Sequence, residues 1–167
     1  IISKIVPLGG EQFNRDIVNT VRRAYNFSIS QRTANRLKVS LADLKTQKKI
    51  AGRVAGIDCV AGLPREKVIP SGLINRSVRS GVEEIGQEIR SFLERTPPQI
   101  HRNILAEGIY LTGGSTRISH IDQVLTEETG CSILLSKYYD LCTVYGLKEI
   151  ITHDALHHWA FTPKFRK

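Results

Sequence analysis

In the stretch Gly108-Ile109-Tyr110-Leu111-Thr112-Gly113-Gly114-Ser115-Thr116-Arg117, a short apolar segment runs into two glycines. Ile109, Tyr110 and Leu111 read as a brief buried strand. Ile121 and Leu125, four residues apart, predict a helix beyond the glycines. Two adjacent glycines let the backbone approach a ligand closely and take conformations that other residues avoid. The start of the following helix offers free N–H groups to a polar or anionic group. An arginine at that place can lay its guanidinium on a flat ring or bond a phosphate. Glycine pairs after strands are also plain punctuation, so the motif alone leaves both a ligand site and a tight turn open.

Working outward, the same grammar recurs near the start. Residues 2–8 read as a strand ending at Gly9-Gly10, a second strand–Gly-Gly–helix junction. Two such junctions can face each other across the carboxyl ends of a sheet, where open α/β folds hold ligands. The stripe Phe13, Ile17, Val18, Val21 and Tyr25 predicts the helix that follows, ended by Asn26. Ser30 is placed to cap a second helix carrying Ala34, Leu37, Leu41 and Leu44. Residues 45–70 then turn rich in glycine and β-branched residues, which predicts short strands with turns, the second near Leu63-Pro64-Arg65-Glu66. This helix-plus-sheet section looks like an inserted lobe.

Ser71 is placed to cap a long helix with the stripe Ile74, Val78, Val82, Ile85, Ile89, Phe92 and Leu93. Gly81 and Gly86 inside it are read as close packing, with a bend as the alternative. Pro97-Pro98 stops the helix and starts a short one through Ile100 and Ile104. Gly130 ends the next helix, and residues 131–135 form another strand. A last helix carries Leu141, Val144, Leu147 and Ile151. The tail, 153–167, loses this order. Strands alternating with helices indicate an α/β fold.

The 167 residues are 41% hydrophobic and 24% charged, enough for one domain with a core, or a domain plus a small lobe. No apolar run approaches the roughly eighteen residues of a membrane span. The net charge of +8 favours polyanions such as nucleotide phosphates. Basic residues are spread out, with Lys48-Lys49 and Arg22-Arg23 the densest pairs. No aromatic residues interleave with them in a stacking pattern, so nucleic acid is not an expected partner. Cys59, Cys131 and Cys142 show no metal spacing and lie among apolar neighbours, which reads as small core residues. His153, His157 and His158 lack a partner set of carboxylates and read as exposed tail residues, so no metal ligand is nominated. Asp58 and Asp122 are isolated acids, the latter suited to the first turn of its helix. Neither a phosphate-loop pattern nor a nucleophile elbow occurs, so no catalytic residue is nominated. The chain has no Met and opens on Ile1-Ile2, which reads as a fragment of a longer protein.

Several phrases in sequence order resemble the bacterial actin-like proteins of the MreB/Mbl type. Leu93 through Gly114, including Thr96-Pro97-Pro98 and Tyr110-Leu111-Thr112-Gly113-Gly114, is similar to the phrase that enters that family's adenosine loop. Gly9-Gly10-Glu11-Gln12-Phe13 with residues 17–26 resembles the helix after its second phosphate loop. Gln31 through Lys38 resembles the family's E-R-T-A-E-x-[IV]-K. Val60 through Pro64 resembles its hairpin, and Asp140 through Gly146 its closing helix. The likeness runs from the first residue to about residue 152.

The resemblance implies an α/β fold of ribonuclease H-like, actin-type ATPase architecture: its second half, with a small inserted α+β lobe. The implied division is 1–28 and 72–152 for the main subdomain, 29–71 for the lobe and 153–167 for the tail. It implies ATP or ADP with magnesium held between two halves in the parent, this half supplying the adenosine side and lacking the phosphate loops. The isolated chain is therefore expected to show no ATPase activity. The implied nucleotide contacts are Gly10, Asn35, Lys38, Gly113, Gly114, Ser115 and Arg117. Asn35 stands where the family has Glu, replacing a carboxylate acceptor for the ribose by a weaker amide. Ser115-Thr116-Arg117 replaces a third glycine and apolar residues, and resembles the heat-shock chaperone ATPases, where Ser and Arg contact the base.

Filament self-association, cell-wall-elongation membrane proteins as partners and a cytoplasmic place at the inner face of the membrane are implied likewise. Direct membrane contact would lie in the other half. Half of a chaperone-type ATPase and a basic binding module without nucleotide remain as alternatives.

Overall fold

A computed structural model describes residues 3–46 and 49–160. The readings that involve Ile1, Ile2, Lys48 and the last seven residues lie outside the described residues. Helix α1 (Gly10–Tyr25) buries Phe13, Ile17 and Val21, and Asn26 closes it in the left-handed conformation at φ 48°. Strand β1 (Phe27–Ser28) leads to α2 (Gln31–Leu41). The Ser30 hydroxyl caps α2 by accepting the Thr33 amide at 3.1 Å. That bond satisfies one of the first amides of the helix, which have no partner within it.

Strands β2 (Ala51–Asp58) and β3 (Pro64–Pro70) form an antiparallel hairpin, with β1 added on the free side of β2. The hairpin turn falls at 59–63, earlier than the expected 63–66. The Asp58 carboxylate accepts the Val60 and Ala61 amides at 2.9 and 3.0 Å, and Gly62 supplies φ 68°. Those amides also hold the Asp58 carboxyl below its ordinary range. Pro64 is tolerated as the first residue of β3 because proline lacks only a donor. Cys59 is exposed in this turn and Cys142 half-buried; only Cys131 is the core residue expected of all three.

Helix α3 (Ser71–Glu94) is the spine. Pro70 occupies the cap position expected of Ser71, which is the first helical residue. A Cβ on Gly81 would sit 2.6 Å from Phe13 Cε1, and one on Gly86 2.6 Å from Glu128 Cβ. Both glycines therefore mark close approach, by α1 on one side and α5 on the other. Helix α4 (Pro98–Glu107) starts at the second proline. Strand β4 (Ile109–Leu111) pairs in parallel with β5 (Ile133–Leu135), and α5 (Ile121–Thr129) connects them, ended by Gly130 at φ 71°. Helix α6 (Cys142–Thr152) follows. The tail is more ordered than expected, since Asp154–Trp159 forms a 3-10 helix packed back on α6.

One core joins these elements: Phe13 and Ile17 from α1, Leu37 from α2, Val78 and Val82 from α3, and Leu125 from α5. Burying each such side chain is worth about 1.5–3 kcal/mol. The expected strand at residues 2–8 does not form over its described part, 3–8. A strand needs a neighbour for its N–H and C=O groups, and among the described residues no strand pairs with 3–8. Residues 3–8 instead run as irregular chain along an apolar groove of about 580 Å³ beside α3, α4 and β4. Ile5 is 96% exposed, and Lys4 bonds Glu88 of α3.

Candidate functional site

Lys38 is the least ordinary residue of the fold, a lysine only 6% exposed. The face of α2 that carries Ala34, Leu37 and Leu41 into the core carries it inward too. Its stem packs there, and its ammonium reaches the Gly10 carbonyl at 2.8 Å. Burial pushes its pKa below the ordinary lysine value, because desolvation disfavours the charged form.

Gly10 is the first residue of α1, and it is flanked closely. A Cβ there would lie 3.2 Å from Ser115 Oγ and 3.3 Å from Lys38 Nζ. Three residues expected at the site, from three separate parts of the chain, thus converge on one point. Any side chain larger than glycine at position 10 would press on both polar groups.

Ser115 lies in the turn Gly114–Arg117, a single 3-10 turn rather than the start of a long helix. The helix expected beyond this stretch, carrying Ile121 and Leu125, begins at Ile121. Gly113 has φ 103°, a conformation that favours glycine, and its N–H donates to the Tyr139 carbonyl at 3.0 Å. Thr116 is buried and its hydroxyl donates back to the Gly113 carbonyl at 2.6 Å. A Cβ on Gly113 or Gly114 would meet nothing within 4 Å. Open space therefore lies before the glycine pair, while its backbone is fixed from behind.

Arg117 is exposed and turned toward the segment after β5. It bonds Asp140 at 2.7 Å and lies 5.1 Å over the Tyr139 ring. The same bond holds the Asp140 carboxyl below its ordinary value. Arg117 is therefore engaged by a salt bridge and a ring and is not a free guanidinium. Asn35, one turn before Lys38 on α2, is exposed and lines a polar hollow with Glu11, Asn14, Arg15, Gln31 and Arg32. The Oδ1 of Asn14 is buried there without a hydrogen-bond partner.

The sequence reading missed one long-range contact. Asp43, just past α2, meets His120, just before α5, at 2.7 Å. Desolvation opposes ionisation of Asp43, but the Thr46 and Lys45 amides and His120 outweigh it and hold the carboxyl at about 2. Its only local signal is the order Asp43-Leu44-Lys45-Thr46, in which Asp accepts the amides two and three residues on.

The chain matches the model of the MreB/Mbl protein family over residues 1–158. It belongs to the MreB/Mbl family. This MreB/Mbl chain is 30% identical over 149 residues to the cell shape-determining protein Mbl of Bacillus subtilis, covering 87% of the chain and 44% of that protein. It is 29% identical over 147 residues to the cell shape-determining protein MreB of Escherichia coli, covering 87% and 42%.

Among solved structures, MreB5 of Spiroplasma citri bound to AMPPNP superposes with a TM-score of 0.84 at 28% identity, covering 90% of the chain and 45% of the neighbour. The same protein bound to ADP gives the same score. A MamK double helical filament, at 15% identity and TM-score 0.63, shares the fold. The fold is thus the actin-type fold foreseen, and the chain spans less than half the length of these relatives. The family match also decides against the chaperone-type alternative.

Proposed function

We propose that this chain supplies the adenosine side of the nucleotide cleft in an ATP-binding actin homologue that polymerises and helps determine cell shape. The observation that carries the reading is the meeting of Gly10, Lys38 and Ser115 beside the open Gly113-Gly114 backbone. These groups suit an adenosine. The bare glycines leave room for a flat ring to approach the main chain. The Ser115 hydroxyl can donate or accept at the edge of a base. Lys38 keeps an ammonium in a partly desolvated place, where one hydrogen bond counts for more than in water. Asn35 can accept from a ribose hydroxyl, more weakly than a carboxylate would. Arg117 reaches a base only by exchanging its bond to Asp140.

Magnesium would accompany the phosphates, and no residue of this chain is assigned to it. Self-association into filaments, contacts with cell-wall-elongation membrane proteins and a cytoplasmic site at the membrane's inner face belong to the same reading. They rest on what the family implies. The test is titration of the full-length protein with ATP and ADP. Lys38→Ala and Arg117→Ala should each weaken binding, Lys38→Ala by roughly tenfold, the size of one charge-assisted bond. Unchanged affinity in both variants refutes the assignment.

A further inference from the structure

Lys38 and Ser115, the two polar groups that meet at Gly10, sit on different elements, and nothing in either element sets the distance between them. Five residues beyond each lies one half of a connection. Beyond Lys38, α2 ends at Leu41 and the chain reaches Asp43. Beyond Ser115, the chain leaves its 3-10 turn and reaches His120. Asp43 Oδ1 and His120 Nδ1 are 2.7 Å apart, with side chains 16% and 33% exposed. A second bond doubles the connection, from the Leu44 amide to the Ser119 carbonyl at 3.1 Å. The two segments run side by side there as a single parallel bridge.

The spine holds the same point. Asn75 accepts the Asp43 amide at 3.0 Å, and Arg79 donates to the Leu44 carbonyl at 2.8 Å. Asp43 also accepts the Lys45 and Thr46 amides, which fixes the carboxylate before it meets the imidazole. His120 stands at φ 64°, a left-handed conformation that costs a non-glycine residue. A strained backbone that carries a paired side chain at a turn beside a ligand surface invites a functional explanation.

We propose that Asp43 and His120 form a clasp that positions the nucleotide site, setting the gap between the Lys38 wall and the Gly113–Arg117 wall. Neither residue touches the ligand; both act through Lys38 and Ser115. This rests on the nucleotide reading above. The clasp makes the closing of the two walls one event: anchoring α2's end to α3 also anchors the loop that follows the glycine pair. Loss of either side chain loosens both walls together.

The test uses the full-length protein and two readouts. Without nucleotide, hydrogen exchange of peptides covering 113–120 and 36–44 is compared in wild type, Asp43→Ala, His120→Gly and the double variant. Glycine accepts the left-handed backbone freely, so His120→Gly removes the ring while relieving strain. Faster exchange in both peptides of each single variant, with the β2–β3 hairpin unchanged, is the expected result. Exchange in 113–120 that stays at the wild-type rate overturns the clasp, whether or not the protein binds nucleotide.

With ADP, each single variant should bind roughly tenfold more weakly, and the double variant no more weakly than Asp43→Ala, because the bond between the two side chains is lost in all three. His120→Asn, which keeps a donor and tolerates the left-handed backbone, should recover most of the affinity. Variants that melt earlier yet bind ADP like wild type reduce the pair to a stabilising contact and refute the positioning role. If wild type itself binds no nucleotide, the cleft assignment fails, and the exchange data still decide whether the clasp holds the two walls.

Discussion

Gly81→Ala tests the packing of α1 on α3 with a sign that runs against helix propensity. Alanine in place of glycine inside a helix ordinarily stabilises by about 1 kcal/mol. At Gly81 the new Cβ would lie 2.6 Å from Phe13 Cε1 and 2.9 Å from Cδ1, well inside contact distance. Phe13 is fully buried and Gly81 lies in the interior of α3, so neither the ring nor the backbone has room to withdraw cheaply. Overpacking of this kind costs about 1–3 kcal/mol. The propensity gain offsets part of it, leaving a net loss of about 0–2 kcal/mol.

Gly146 lies in the interior of α6 and meets nothing within 4 Å. Gly146→Ala therefore keeps the gain without the clash, and the two variants should differ by about 1–3 kcal/mol. In thermal melts followed by circular dichroism, that separates their Tm values by roughly 3–9 °C for a chain of this size. Gly81→Ala melting as high as Gly146→Ala would refute the close-approach reading and restore a bend as the reason for the glycine.

Two further outcomes are expected. Ser30→Ala should destabilise the chain by about 1 kcal/mol in urea titrations, since it removes the acceptor for the Thr33 amide at the start of α2. Asn35→Glu should tighten ADP binding by the full-length protein, roughly threefold to tenfold, by restoring a charged ribose acceptor; weaker binding measured by calorimetry would argue against a ribose at that polar hollow.

The helices were legible because each writes its buried face at a 3.6-residue period. The stripe Phe13, Ile17, Val21 and the stripe Ile74, Val78, Val82 are fully buried as read. The same stripe failed as a burial signal in α6, where Val144 is 62%, Leu147 55% and Ile151 74% exposed. Periodicity reports which residues share a face, and only the neighbours decide whether the face is covered. Residues 3–8 show the companion failure, since strand composition without a hydrogen-bonding neighbour produces an irregular segment and no strand.

Among the expected contacts, Gly10, Lys38, Gly113 and Gly114 were named by family phrases and Ser115 by a departure from them, and the structure brings Gly10, Lys38 and Ser115 together. The Asp43–His120 pair was not, because its partners lie 77 positions apart and neither residue carries a local pattern that names the other. Arg117 was expected as a base contact, and its salt bridge to Asp140 was not legible, for the same reason of distance along the chain.

The contact between Phe13 and Gly81 joins two helices that residues 26–70 separate in the chain. During folding, α1 meets α2 early, but the part of its apolar stripe that faces α3 is covered only after that whole intervening stretch has been bridged. Bridging a loose loop costs entropy that grows slowly, by about 0.6 kcal/mol per doubling of length. Long-range contacts of this kind slow folding far more than they weaken the final state. The β2–β3 hairpin forms from near neighbours and bites a large piece out of the loop before the ends need to meet. Substitutions that loosen the hairpin turn at Asp58 or Gly62 should therefore act as kinetic lesions, leaving α1 uncovered for longer and the chain more prone to stick to its copies.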